Sequence, residues 1–195
     1  MNNNLKLIEK YNTRYRHPET AVCALLVIDM QQYFAGMARP ILGNVRSLLT
    51  LFRSKKLPVF FTRHGHKEPA KDGGMLFDWW GELIQFGSKN WEIMETVKPE
   101  NGEKIFNKNR YSAFMGTDLD EVLQEKGVEE LIICGVLSNC CCETTARDAF
   151  MHDYRVFFPA DATATANEEL HLASLKNLAF AFAHVVSTEF LLESL

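Results

Sequence analysis

Two stretches constrain this chain more than any other: Cys23 to Ile28 (CALLVI) and Leu131 to Val136 (LIICGV), each apolar at every position. A strand with one face in water alternates polar and apolar side chains, so an uninterrupted apolar run needs cover on both faces. Between these runs the period changes. From about Ile41 to Lys56, Leu and Val recur at helical spacing, and Asp118 to Lys126, Glu143 to Asp153 and Asn167 to Ala183 read as further helices. Asn167 suits the N-cap of the last, with acidic residues following in its first turn. Pro58 to Thr62 (PVFFT), Lys104 to Phe106 and Val156 to Phe158 read as strands. Continuous apolar strands taking turns with helices predict a three-layer α/β/α sandwich around a mostly parallel, doubly wound sheet.

The chain of 195 residues, 47% hydrophobic and 24% charged, carries enough apolar material for one sizeable core. With no Pro/Gly/Ser-rich linker and no internal repeat, residues 1–195 read as a single domain. The formal charge of −4 comes from interspersed acids and bases, without a basic block for nucleic acid or an anionic membrane. A small-molecule partner is expected. The N-terminal residues MNNNLKLIEKYNTRYRHPE are polar and broken by charges, unlike a signal peptide or a membrane span, which predicts a cytoplasmic protein. Five cysteines, three of them consecutive at Cys140, Cys141 and Cys142, make no disulfide framework; such thiols are either small buried hydrophobes or reactive groups.

Open sheets of this kind bind ligands beyond the carboxyl ends of their strands. Three reactive side chains follow apolar runs: Asp29 after the first, Lys108 after the Lys104 strand, and Cys141 where the chain turns from LIICGV into a helix. A thiol at a helix N-terminus beside an ammonium is expected to ionise near neutral pH. A carboxylate within reach takes the thiol proton and passes it to a leaving amine, and the backbone amides around Cys141 are placed to stabilise an oxyanion. The reaction predicted is acyl transfer to sulfur, loss of ammonia or an amine, and hydrolysis of the thioester.

The segments LLVIDMQQYF (Leu25 to Phe34), KNRYSAF (Lys108 to Phe114) and ICGVLSNCCCETTARDAF (Ile133 to Phe150) resemble, in order and spacing, the three signature blocks of the isochorismatase-like hydrolases. The resemblance implies a catalytic triad of Asp29, Lys108 and Cys141. It also implies a cis peptide between Val136 and Leu137 that aims the Leu137 and Cys141 amides at the oxyanion. Members that cleave isochorismate carry glycine at the position of Cys141, so the resemblance points to amide hydrolysis. TRHGHK, GMLFDWW, CCETTARDAF and DATATANEELH resemble the plant-type nicotinamidase branch. Its implied substrate is a compact carboxamide such as nicotinamide; another small amide, ureido or carbamoyl compound is the alternative.

Microbial nicotinamidases bind a metal through an Asp-x-His pair and another histidine, where this chain has His64-Gly65-His66. Thiol chemistry needs no cofactor. His64 and His66, alternate residues at a strand end, are the candidate ligands for a zinc-like divalent metal, with no third ligand in sight; the alternative is a pair of solvated loop histidines. In the long insertion from His64 to Pro99, Trp79 and Trp80 are candidates for a lid over a flat ring or for packing and subunit contact. Gln31, Phe34, Trp80, Tyr111 and Phe114 are the candidate substrate-binding residues, each with packing as its alternative. Cys140 and Cys142 read as packing thiols. Phe190 to Leu192, together with the resemblance, suggests a homo-oligomer. A non-catalytic metabolite-binding or scaffold protein is the competing class, and three intact triad positions argue against it.

Overall fold

The computed structural model describes residues 3–195. Among the described residues seven strands form one sheet: β1 (Cys23–Ile28), β2 (Val59–His64), β3 (Lys104–Lys108), β4 (Glu130–Val136), β5 (Arg155–Pro159), β6 (Thr163–Ala164) and β7 (His184–Val186). Their order is β3-β2-β1-β4-β5-β7, with β6 pairing β4, and the strand pairings are parallel. The sandwich expected from the apolar runs is present, with helices on both sides of the sheet.

The runs earn their uniform apolarity by alternating between two cores. Ala24, Leu26 and Ile28 pack with Leu119, Leu123, Ala146, Ala149, Leu175 and Leu178 on one face. Cys23, Leu25 and Val27 pack with Val45, Leu48, Leu49, Phe52 and Leu191 on the other. Every residue of β1 and β4 is buried, so neither strand has a position where water would select a polar side chain.

Element boundaries follow the periodicity closely. The helix read over Ile41 to Lys56 runs Leu42–Ser54, and Asn167 caps Glu168–Ala181 by accepting the Leu170 amide at 2.9 Å. Strands β2 and β3 run two residues further than read, so Lys108 is the last strand residue rather than a loop residue. The helix Thr188–Ser194 changes the reading of the C-terminus. Leu191 is fully buried and Phe190 packs edge-on to Tyr15 at 5.6 Å, so two of the three residues taken to suggest an oligomer are occupied within this chain. No described helix is long and apolar enough to cross a membrane.

The sheet's order reverses at β1. The chain moves outward through β2 and β3, then returns to lay β4 on the other side of β1. Loops leaving β1 and β4 therefore diverge, and the crevice between them opens at the strands' carboxyl ends. Gly135 makes the close approach there: its φ is +117°, and a Cβ at this position would lie 2.1 Å from the Ile28 carbonyl oxygen.

Candidate active site

Asp29 leaves β1 in the left-handed region, φ 46°, which turns its side chain back over the strand ends. Thr62 on β2 holds it twice, accepting from the Asp29 amide at 3.1 Å and donating its hydroxyl to Oδ1 at 2.6 Å. Lys108, two strands away on β3, donates Nζ to Asp29 Oδ2 at 2.7 Å and to the Arg110 carbonyl at 3.0 Å. Both side chains of this ion pair are fully buried. Burial disfavours the Lys108 ammonium, but Asp29 beside it and then Cys141 more than offset this, so its pKa stands above the ordinary lysine value.

Cys141 lies across the crevice, in a wide π-helical turn (Ser138–Cys142) that follows a cis peptide between Val136 and Leu137. The Leu137 carbonyl accepts from the amides of Cys140 and Cys142, both at 3.1 Å, so the turn closes around the residue between them. Three neighbouring thiols thereby meet three environments. Cys142 is fully buried in the core, Cys140 is half-buried against the Tyr111 hydroxyl, and Cys141 meets Asp29 and Lys108. Burial raises the Cys141 thiol well above the ordinary cysteine value; the Lys108 charge opposes this and the Asp29 charge adds to it. The lowering expected from the Lys108 ammonium is thus reversed in direction at this thiol. Desolvation, invisible in the sequence, outweighs the ammonium.

The two histidines are paired with each other. His64 Nε2 lies 3.3 Å from His66 Nε2, and His66 Nδ1 lies 3.1 Å from Asp72 Oδ1. Asp72 also accepts the Lys67 amide at 2.8 Å through Oδ2, so both its oxygens are engaged. Both imidazoles are buried, which sets aside solvated loop histidines. His64 is held down to about 4, first by burial and next by the charge on Lys108. Among the described residues no group of three or more His, Cys, Asp or Glu side chains is arranged to hold a metal ion. Two imidazoles beside an ammonium do not fit the three or four protein ligands that zinc takes.

The other candidates divide. Gln31 is fully buried and spends its amide on backbone: Nε2 donates to the carbonyls of His64 (2.9 Å) and Trp91 (2.8 Å), and Oε1 accepts the His64 amide (2.8 Å). It braces the strand ends, which corrects its reading as a substrate ligand. Phe34 belongs to the core on the β1 face that carries Leu25 and Val27. The Phe114 ring stacks on His152, with centroids 4.9 Å apart, and on Tyr154, which takes up its ring surface. Tyr111 and Trp80 remain at the site. Trp80 Nε1 donates to the Tyr111 hydroxyl at 2.8 Å, and that hydroxyl meets Cys140. Trp79 and Trp80 are exposed. Thr62 was missed by sequence reasoning, although a lone hydroxyl ending an apolar strand was a signal for it. Asp72 and His171 were missed as well, and nothing local marks them.

Known proteins resemble this chain in sequence and in fold. The chain is 50% identical over 189 residues to Nicotinamidase 3 of Arabidopsis thaliana, covering 95% of each protein. It is 35% identical to Enterobactin synthase component B of Escherichia coli (strain K12), covering 87% of this chain and 62% of that one. A cysteine hydrolase from Pseudomonas syringae pv. phaseolicola 1448A has a similar solved structure, with a TM-score of 0.88 at 26% identity, covering 92% of this chain and 95% of that one. Residues 23–190 match the isochorismatase domain, and the chain belongs to the isochorismatase family of hydrolases.

Proposed function

We propose that this protein is a cysteine-dependent amidohydrolase that converts a small carboxamide, nicotinamide foremost, to the acid and ammonia through a thioester. The observation that carries the reading is the buried Lys108–Asp29 pair, 2.7 Å apart, with the Cys141 thiol beside it. The 50% identity to a protein named a nicotinamidase supports the choice of substrate.

A thiol is a weak nucleophile until its proton leaves, so attack is tied to proton transfer. Asp29 accepts the proton as sulfur bonds to the carboxamide carbon, while Lys108 holds the carboxylate in place through its bond to Oδ2. The amides of Leu137 and Cys141 receive the oxyanion of the tetrahedral intermediate. Collapse expels the amide nitrogen, which takes the proton from Asp29 and departs as ammonia. Asp29 then activates water, which attacks the thioester carbonyl; the acid leaves and the thiol regains its proton. The chain's own residues supply every group in this sequence, and no step uses a metal. The substrate ring is set between the Trp80–Tyr111 side and the strand ends.

Incubation of the purified protein with nicotinamide tests the reading. Ammonia and nicotinate should form in equal amounts, and Cys141→Ala should abolish both. A wild-type protein inert toward nicotinamide but active on a ureido or carbamoyl compound would keep the mechanism and replace the substrate. Inertness toward all of them defeats the reading and favours a binding protein.

A further inference from the structure

The turn that carries Cys141 is held from one side by a helix far away in sequence. Ser138, the first residue of that turn, is fully buried. Its hydroxyl lies 2.8 Å from His171 Nδ1, and its carbonyl accepts the Ser174 hydroxyl at 3.0 Å. His171 and Ser174 are both buried and stand three apart on the helix Glu168–Ala181, a spacing that places them on one face. That helix is anchored in the core by Leu175 and Leu178. The other imidazole nitrogen, Nε2, lies 3.0 Å from the Ala160 carbonyl, just beyond β5.

The hydrogen-bond directions follow from the partners. A carbonyl only accepts, so His171 Nε2 carries the proton and donates to Ala160. Burial keeps the imidazole below its ordinary pKa, and the neutral ring then offers Nδ1 as an acceptor to the Ser138 hydroxyl. The helix thus grips Ser138 at both its side chain and its carbonyl, three residues before the nucleophile and one residue after the Leu137 amide assigned to the oxyanion.

We infer that His171 is a positioning residue, which acts through the Ser138 hydroxyl to fix the Cys141 turn in its reactive geometry. The inference rests on the amidohydrolase reading for its rate measurements. A group that sets the approach of sulfur to a bound carbonyl changes the chemical step more than the binding of substrate.

Two replacements separate this role from simple filling of space. His171→Asn keeps an oxygen near the Nδ1 position, able to accept from Ser138, and gives up the Ala160 bond. His171→Gln reaches towards Ala160 and gives up Ser138. With Ser138→Ala they form the test: kcat and KM on nicotinamide, the melting temperature, and the rate at which iodoacetamide alkylates Cys141, read by mass spectrometry. Ser138→Ala and His171→Gln should each lower kcat about tenfold, the scale of one neutral hydrogen bond, with KM within about twofold. His171→Asn should retain most of kcat despite a lowered melting temperature. Retention of kcat by His171→Gln but not by His171→Asn, or losses that track melting temperature alone, would overturn the inference. If the wild type turns over no amide, the amidohydrolase reading falls by itself. The alkylation rates still decide the inference, since Cys141 should then react differently in Ser138→Ala than in wild type and His171→Asn.

Discussion

Lys108 Nζ and Asp29 Oδ2 meet at 2.7 Å across an intervening strand, with both side chains closed off from water. Neighbouring strands lie about 4.8 Å apart, so a residue on β3 reaches one on β1 only with a long side chain aimed along the sheet edge. Removing one member of such a pair leaves the other charge buried and alone, at a cost of about 3–5 kcal/mol. Lys108→Met should therefore destabilise the fold by that order. It should also lower kcat/KM by about 100-fold or more, because the carboxylate loses the ammonium that positions it as the base. Urea melts and initial rates at pH 7 check both arms; a variant as active as the wild type contradicts the assigned base.

Thr62→Val tests the second grip on Asp29. The isostere keeps the packing and deletes the hydroxyl that donates to Oδ1 at 2.6 Å and accepts the Asp29 amide at 3.1 Å. A loss of about 1–3 kcal/mol in stability is expected from the unpaired groups, with a fall in kcat of about tenfold. Equal kcat in the two proteins would mean that Lys108 alone orients the carboxylate.

His64 gives the protein an acid-sensitive component. Its imidazole stays neutral in the fold down to about 4, first because it is buried, whereas in the unfolded chain it takes a proton near 6.5. Between those values the unfolded state binds more protons, so this contribution is fully present above about pH 6.5 and is lost as the pH falls to about 4. It amounts to roughly 3 kcal/mol at most. Urea midpoints at pH 7 and pH 4.5 should fall further for the wild type than for His64→Gln. Parallel losses would show that His64 protonates freely in the folded protein.

Gln31→Met should act on stability and leave recognition alone. It strands the His64 amide and the carbonyls of His64 and Trp91, all of which Gln31 now satisfies. A loss of about 2 kcal/mol or more follows, with KM for the amide within about twofold. A rise in KM at unchanged melting temperature would restore Gln31 as a substrate ligand.

Gly135→Ala is the most severe single change expected. The new Cβ would stand 2.1 Å from the Ile28 carbonyl oxygen, in a backbone conformation with φ +117°. Both partners are backbone in the two central strands, so neither yields without opening the sheet. A destabilisation above about 4 kcal/mol is expected, read as loss of soluble, cooperatively melting protein.

The readable parts of this molecule were those where one residue type admits one environment. CALLVI and LIICGV had to be covered on both faces, and Asp29, Lys108 and Cys141 had to fall at strand ends once those strands were parallel. Thr163–Ala164 and His184–Val186 are too short to display a period, so β6 and β7 escaped notice. Gln31, Phe34 and Phe114 sit beside triad residues in sequence but turn their side chains to backbone, core and His152, a choice made by tertiary packing. The upward push of burial on the Cys141 thiol was illegible for the same reason, since depth of burial is a property of the folded whole.

The crossover at β1 has a further consequence for how the enzyme comes into being. Asp29, Thr62, Lys108 and Cys141 arrive from four different strands, and the first and last are 112 positions apart in the chain of 195. No fragment and no partly zipped sheet can bring the four together, since each strand pairing closes a long loop that folds slowly. Turnover is thus a gauge of complete assembly: during refolding it should lag behind the recovery of helical signal, and a chain cut between β3 and β4 should be inactive unless its halves reassociate.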